Sequence, residues 1–131
     1  MEAHFPSQCQ TVIGPLRDAL EVVNGKWKLQ ILVAIRSGNH RFSDIERSIP
    51  LLSSKVLSKE LRDLEAHQLI SRTVREGPPV LVEYAALPYA LSLDPVIFAL
   101  RDWGVAHRRK ITGKEAPATS PPAVATLAEP Q

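Results

Sequence analysis

The sequence holds a single cysteine, Cys9, so no disulfide can close within it, and the cystine-built scaffolds of small secreted proteins are excluded. Aromatic residues make up only 5%, so aliphatic side chains must fill any core. No apolar run is long enough to cross a bilayer, and residues 1–10 lack the basic and apolar blocks of a secretory signal. These absences lead to the expectation of a cytoplasmic protein with no membrane attachment. No serine sits in a nucleophile elbow, no glycine-rich loop follows a strand, and no paired carboxylates suggest acid–base work. His4, His40, His67 and His107 have no ligand spacing with Cys9 or with an acid. Neither an enzyme, nor a cofactor, nor a metal site is expected.

What is present is a chain of 131 residues, 44% apolar, enough for one domain with a real core. Its net charge of +2 is unevenly spread. Residues 1–23 carry one base and three acids, a net of −2; residues 76–131 carry five bases and six acids, a net of −1. Residues 24–75 carry ten bases and five acids, a net of +5. A basic block in the middle of the folded part suits a polyanion, and it equally suits a solvated basic face. Charge alone leaves both open.

Gly14-Pro15 predicts a helix start with Pro15 at its first position, followed by Leu16, Leu20 and Val23 on one face, and Asn24-Gly25 ends it. Lys26–Arg36 predicts a second, central helix, apolar over most of its surface, stopped by Ser37-Gly38-Asn39. Arg41-Phe42 suggests a very short strand, and Ser43 a cap for a short helix, 44–48. After Pro50, Ser53 caps a longer helix running to about His67, with Leu57, Leu61 and Leu64 as its buried stripe. Beyond Leu69 the period changes: Ile70, Arg72, Val74 and then Val80, Val82, Tyr84 alternate around Glu76-Gly77-Pro78-Pro79, which predicts a hairpin over 70–84. Pro88 opens a last helical region reaching about Lys110, kinked or restarted at Asp94-Pro95, with Val96, Leu100, Trp103 and His107 on one stripe. Three parts are expected: an extension over 1–13, a domain over 14–111, and a disordered Pro/Ala-rich tail over 112–131.

A short helix, a capped amphipathic helix and a hairpin, in that order, spell a winged helix-turn-helix in a mainly α (α+β) fold. Burial of Leu57, Leu61 and Leu64 would leave Lys55, Ser58, Lys59 and Arg62 facing outward, the residue types that reach guanine edges and phosphates in a major groove. Free amides near Ser53 and Ser54 favour a phosphate. Arg75, before the hairpin tip, could reach a backbone or a minor groove, and Arg41 and Ser43 flank the short helix as further phosphate contacts or as a plain ion pair and cap. The alternative for the whole helix face is an ordinary wet surface. Arg108-Arg109-Lys110 reads either as an extra phosphate contact or as a solvated helix end. An apolar effector pocket is a candidate near Tyr89, Phe98 and Trp103.

The same residues carry a resemblance. Gly25-Lys26-Trp27, Ile31-Leu32, Gly38, Arg41-Phe42-Ser43-Asp44-Ile45 and Ile49-Pro50 come first. Ser53, Lys55-Val56-Leu57, Leu61-Arg62-Asp63-Leu64-Glu65, Leu69-Ile70, Arg72, Pro78-Pro79, Val82-Glu83-Tyr84 and Trp103-Gly104 follow. Over about residues 14–108 the chain resembles the HxlR-type family of winged-helix regulators, in the MarR-like group. The resemblance implies a homodimer built from the first and last helices that binds double-stranded operator DNA, most simply as a repressor. It also leaves room for a small-molecule or electrophile effector.

The chain departs from the family pattern in places. The Cys-Pro that usually opens the first helix falls on Gly14-Pro15, so the cysteine is replaced by glycine. Leu51 and Gln68 stand where glycines are usual, and Leu87 and Ala90 where Thr and Gly are common. Cys9 is a candidate redox sensor, since a cysteine at a helix N-terminus becomes oxidation-prone. The family's sensing cysteine has its place at Gly14, however, which makes Cys9 a bystander or a dimer-contact residue. The alternative to operator binding is a winged helix that has lost DNA and uses its polar face for an acidic protein partner.

Overall fold

The computed structural model describes residues 9–113. Its elements run α1 (Cys9–Val23), α2 (Lys28–Arg36), α3 (Phe42–Ser48), α4 (Ser54–Ala66), β1 (Ile70–Arg75), β2 (Leu81–Ala86), a 3₁₀ turn (Pro88–Leu93) and α5 (Asp94–Thr112). The order is that of a winged helix-turn-helix with one helix added at each end.

The core forms where three apolar stripes meet. Ile31, Leu32 and Ile35 of α2 are wholly buried, against Ile45 of α3, Leu57, Leu61 and Leu64 of α4, and Leu69-Ile70 at the root of the hairpin. Transfer of each such side chain out of water is worth about 1.5–3 kcal/mol, so these residues hold the three helices in a fixed relation. The expected stripe of α4 is therefore the observed one.

The hairpin pairs antiparallel, with Ile70 opposite Ala86, Arg72 opposite Tyr84 and Val74 opposite Val82. Its burial fades along its length. Ile70 is 1% exposed, Val74 46%, and Val80 beyond the strand 63%, so the far end stands away from the body as a wing. The third strand expected at Arg41-Phe42 does not form. Phe42 enters α3 and Arg41 sits at its N-cap in extended conformation. The sheet contact is made one residue earlier, where the Tyr84 N–H donates to the His40 carbonyl at 2.8 Å.

Three further boundaries differ from expectation. The first helix begins at Cys9 rather than at Pro15, which lies within it; proline lacks the N–H that helix interiors use, but its fixed φ remains helical. The second helix starts at Lys28, because Gly25 takes a φ of +79° and the turn extends through Trp27. Ser43 is not a cap, since α3 starts one residue before it and places it in the first turn. The expected restart at Asp94-Pro95 is found, with Pro95 in the first turn of α5. The expected tail lies outside the described residues beyond Gly113, and Thr112 still belongs to α5.

Among non-glycine residues described, the left-handed backbone conformation occurs at Leu51, φ +68°, and Gln68, φ +64°. Both are positions where the family resemblance leads to an expectation of glycine. The turns into α4 and into β1 keep their shape although the residue best suited to them is absent.

Candidate nucleic-acid interface

The centre of the site is α4. Ser53, with φ −86° and ψ 157°, leaves the helix and turns its Oγ back to accept the Val56 N–H at 3.2 Å. From that start the buried leucines fix the rotation of the helix, and the opposite face carries Lys55, Ser58, Lys59 and Arg62 toward solvent, with only Ser58 half-buried. Lys55 makes no ion pair or side-chain hydrogen bond among the described residues. Lys59 reaches Asp63 one turn on at 3.0 Å, and Arg62 Nη1 donates to Ser58 Oγ at 3.1 Å. These are exposed contacts within one helix, weak enough for a polyanion to replace.

Other predicted residues are more engaged or more scattered. The Ser54 hydroxyl donates to Glu46 Oε2 at 2.6 Å, which ties the start of α4 to α3 and puts a carboxylate where an incoming phosphate was expected. Arg41 is exposed and has no side-chain partner among the described residues; Ser43 is exposed on the first turn of α3. Arg75, at the outer end of β1, donates from Nε to Glu83 Oε1 at 3.1 Å. Two bases of the central block do not belong to the surface at all. Lys28 is 3% exposed and Arg36 5%, and they pair with Glu60 and with Asp94 respectively.

The Lys28 cluster fastens α2 to α4. Its ammonium bonds Glu60, lies 3.2 Å from Asp63 and donates to Asn24 Oδ1 at 3.0 Å. Burial alone would pull the lysine pKa down, but the bonds and charges of Glu60 and Asp63 outweigh it and hold the group above its ordinary value. Asp63 is held below the ordinary carboxylate value, chiefly by the Lys59 hydrogen bond, against the opposing effect of burial and with the bond and charge of Lys28 adding to the lowering. Asp63 thus joins an outward lysine to an inward one.

The structure also brings together residues that the sequence left apart. Ser58, Leu61, Arg62 and Glu65, a stripe along one side of α4, face Arg72 and Tyr84 of the wing across a recess of about 340 Å³. Arg72 was missed as a site residue, although it is among the residues that carry the resemblance and its alternation with Ile70 puts it on the strand face that carries Tyr84. The effector pocket expected near Tyr89, Phe98 and Trp103 is divided. Tyr89 lines a small apolar cavity of about 180 Å³ with Val22, Val23, Leu93 and Val96, between α1 and the start of α5. Trp103 instead stacks on His107 with ring centres 4.8 Å apart, and the Phe98 ring carries the Arg101 guanidinium at 4.9 Å. Cys9 is a free, exposed thiol at the first residue of α1. It lies about 7 Å along the helix from Gly14 and over a third of a turn round it, so it does not occupy the family cysteine's place.

A buried three-helix core, a capped helix with its basic face outward and a two-stranded wing define the class: a winged helix-turn-helix transcriptional regulator. The profile described as HxlR-like helix-turn-helix matches residues 22–112, and the chain belongs to that family. It is 38% identical over 94 residues to the HTH-type transcriptional regulator YtcD of Bacillus subtilis, covering 72% of this chain and 75% of that one. It is 37% identical over 99 residues to YtfH of Escherichia coli, covering 76% and 75%. Among solved structures, ytcD superposes with a TM-score of 0.68 at 37% identity, over 72% of this chain and 96% of that one. The redox regulator HypR in its reduced form superposes with a TM-score of 0.69 at 29% identity, over 76% and 99%. Among the described residues no helix is long and apolar enough to cross a membrane, and no group of three potential metal ligands occurs.

Proposed function

We propose that the chain is a homodimeric repressor that reads a pseudo-palindromic operator with helix 53–67 in the major groove and hairpin 70–84 as its wing. The observation that carries this is the division of α4: Leu57, Leu61 and Leu64 buried on one side, Lys55, Ser58, Lys59 and Arg62 displayed on the other. Lysine and arginine on such a face serve both guanine edges and phosphates. Arg41, Ser43, Ser53, Ser54 and Arg75 are proposed as accompanying backbone contacts, Ser54 and Arg75 by exchanging their bonds to Glu46 and Glu83 for phosphate oxygens.

The dimer follows from unmet burial. Leu16 and Leu20 on α1 are 53% and 54% exposed, and Leu100 and Trp103 on α5 are 54% and 66% exposed. Apolar residues repeated at helical spacing on two outer helices ask for a second copy to cover them. A two-fold pair of recognition helices would meet half-sites one or two turns apart, with a turn of roughly 10.5 base pairs. Cys9 carries no sensing role in this reading, because Gly14 holds the family cysteine's place, and an effector would bind without forming a bond to sulfur.

Selection of bound fragments from genomic DNA, with and without oxidant, tests the proposal, followed by footprinting of the recovered site. The triple variant Lys55→Ala, Lys59→Ala, Arg62→Ala should lose the operator while melting as the parent does, each side chain contributing about 1–3 kcal/mol of discrimination. Undiminished operator affinity in that variant defeats the assignment.

A further inference from the structure

We infer that the recess between α4 and the wing is a seat for one backbone phosphate of the bound duplex, held by Arg72 and Arg62 and restrained by Glu65. The inference rests on the DNA-binding reading above and adds to it a ligand-contact residue, Arg72, and a carboxylate that limits affinity.

Duplex geometry imposes the first constraint. The major and minor grooves are divided by a sugar–phosphate strand. A protein with a helix in one groove and a hairpin against the next must therefore let that strand pass between helix and hairpin. In this molecule the space between them is the recess of about 340 Å³. Its α4 side presents Ser58 and Arg62, with the Arg62 guanidinium resting on the Ser58 hydroxyl at 3.1 Å. Its wing side presents Arg72 and, directly across the ladder, Tyr84.

Each of these groups has donors to spare. Arg72 is exposed and makes no ion pair or side-chain hydrogen bond among the described residues. Tyr84 is 9% exposed, yet its hydroxyl has no hydrogen-bond partner among the described residues. The hydroxyl keeps some solvent contact while the ring is buried, so it is free to donate to an oxygen-rich ligand in the recess it shares with two guanidiniums. Arginine's fork matches phosphate oxygens in pairs. Arg75, the obvious wing candidate, is by contrast held by Glu83.

Glu65 gives the recess its second property. It lines the same space, is exposed, and its carboxylate makes no ion pair or side-chain hydrogen bond among the described residues, although two arginines share the recess with it. A phosphate entering there meets one negative charge along with two positive ones. That lowers affinity for any backbone, whatever its sequence, and leaves base-reading contacts to decide where the protein stays.

The test uses the full chain and two duplexes of equal length, a selected operator and an unrelated sequence, titrated across a series of KCl concentrations. Arg72→Ala should weaken both by a similar factor, roughly tenfold, and reduce the slope of log affinity against log salt by about one. Arg72→Lys should restore the slope, since lysine still neutralises one phosphate. Glu65→Gln should strengthen both duplexes several-fold. An Arg72→Ala variant with unchanged affinity and slope overturns the seat, and so does one whose melting temperature falls while its salt slope stays. A Glu65→Gln variant that binds more weakly overturns it too, since the carboxylate would then be a contact in its own right. If Lys55→Ala loses operator preference while Arg72→Ala is silent, the seat falls and operator binding stands.

Discussion

In α2, Ile31, Leu32 and Ile35 are fully buried; in α5, nineteen residues long, no side chain is buried at all. Helix α1 resembles α5, with Leu16 and Leu20 more than half exposed. Both kinds of helix carry apolar residues at helical spacing, so the pattern by itself does not separate them. The difference lies in where the partner surface is. The stripes of α2 and α4 are satisfied within the chain by each other and by α3. The stripes of α1 and α5 point where the chain offers nothing, which is why the proposed dimer draws on them. One chain thus contains the finished core of the proposed reading head and the uncovered apolar faces of the proposed dimer surface.

The largest effect expected on the finished half comes from Leu61→Ala, which opens a cavity between α4 and α2 and should remove about 2–5 kcal/mol from unfolding in urea. That loss should be nearly the same at low and high protein concentration. On the unfinished half, Trp103→Ala should leave the monomer's own packing almost untouched, because Trp103 is 66% exposed and touches His107. It should instead weaken dimerisation by about 2 kcal/mol, roughly thirtyfold, measured by sedimentation equilibrium. If Trp103→Ala destabilised the monomer as Leu61→Ala does, the contrast between the two halves would collapse.

A third, smaller effect concerns the charged link within the reading head. Asp63, held below its ordinary value near 3.8, contributes stability above that pH and loses it as pH falls through its folded value. Lys28, held above its ordinary 10.5, contributes below that pH and loses it as pH rises through its folded value. Stability should therefore hold between these limits and decline outside them, and Asp63→Asn should flatten the acid limb selectively. Equal acid limbs in parent and variant would remove Asp63 from the link.

The smallest expected effect is a gain. Leu51 is 96% exposed in a left-handed turn, so Leu51→Gly sheds backbone strain without losing packing. It should stabilise the chain by up to about 1 kcal/mol, after allowing for glycine's freedom in the unfolded state. Gln68→Gly should act in the same direction, and thermal melts check both.

Most of the reading head was legible because its signals are local. A serine before a leucine stripe, a change of period after Leu69 and a Gly-Pro tip each speak through residues a few positions apart. The misreadings came from places where a local signal had two uses. Pro15 looked like a helix start but tolerates a helical interior; Ser43 looked like a cap but fell two residues too late; Arg41-Phe42 looked extended, and only Arg41 is. Lys28 and Arg36 counted toward a basic surface, although their partners, thirty-two and fifty-eight positions away, draw them inside.

Sequence alone determined the order of elements, the winged-helix class and the stripe that α4 buries, since these depend on periodicity and on caps built from near neighbours. Tertiary structure decided which charges remain at the surface, that Arg72 and Tyr84 share a recess with Arg62 and Glu65, and that the apolar faces of α1 and α5 stay open. Those outcomes depend on contacts between residues distant in the chain, and burial and Coulomb energy are set by such distances in space rather than by spacing along the sequence.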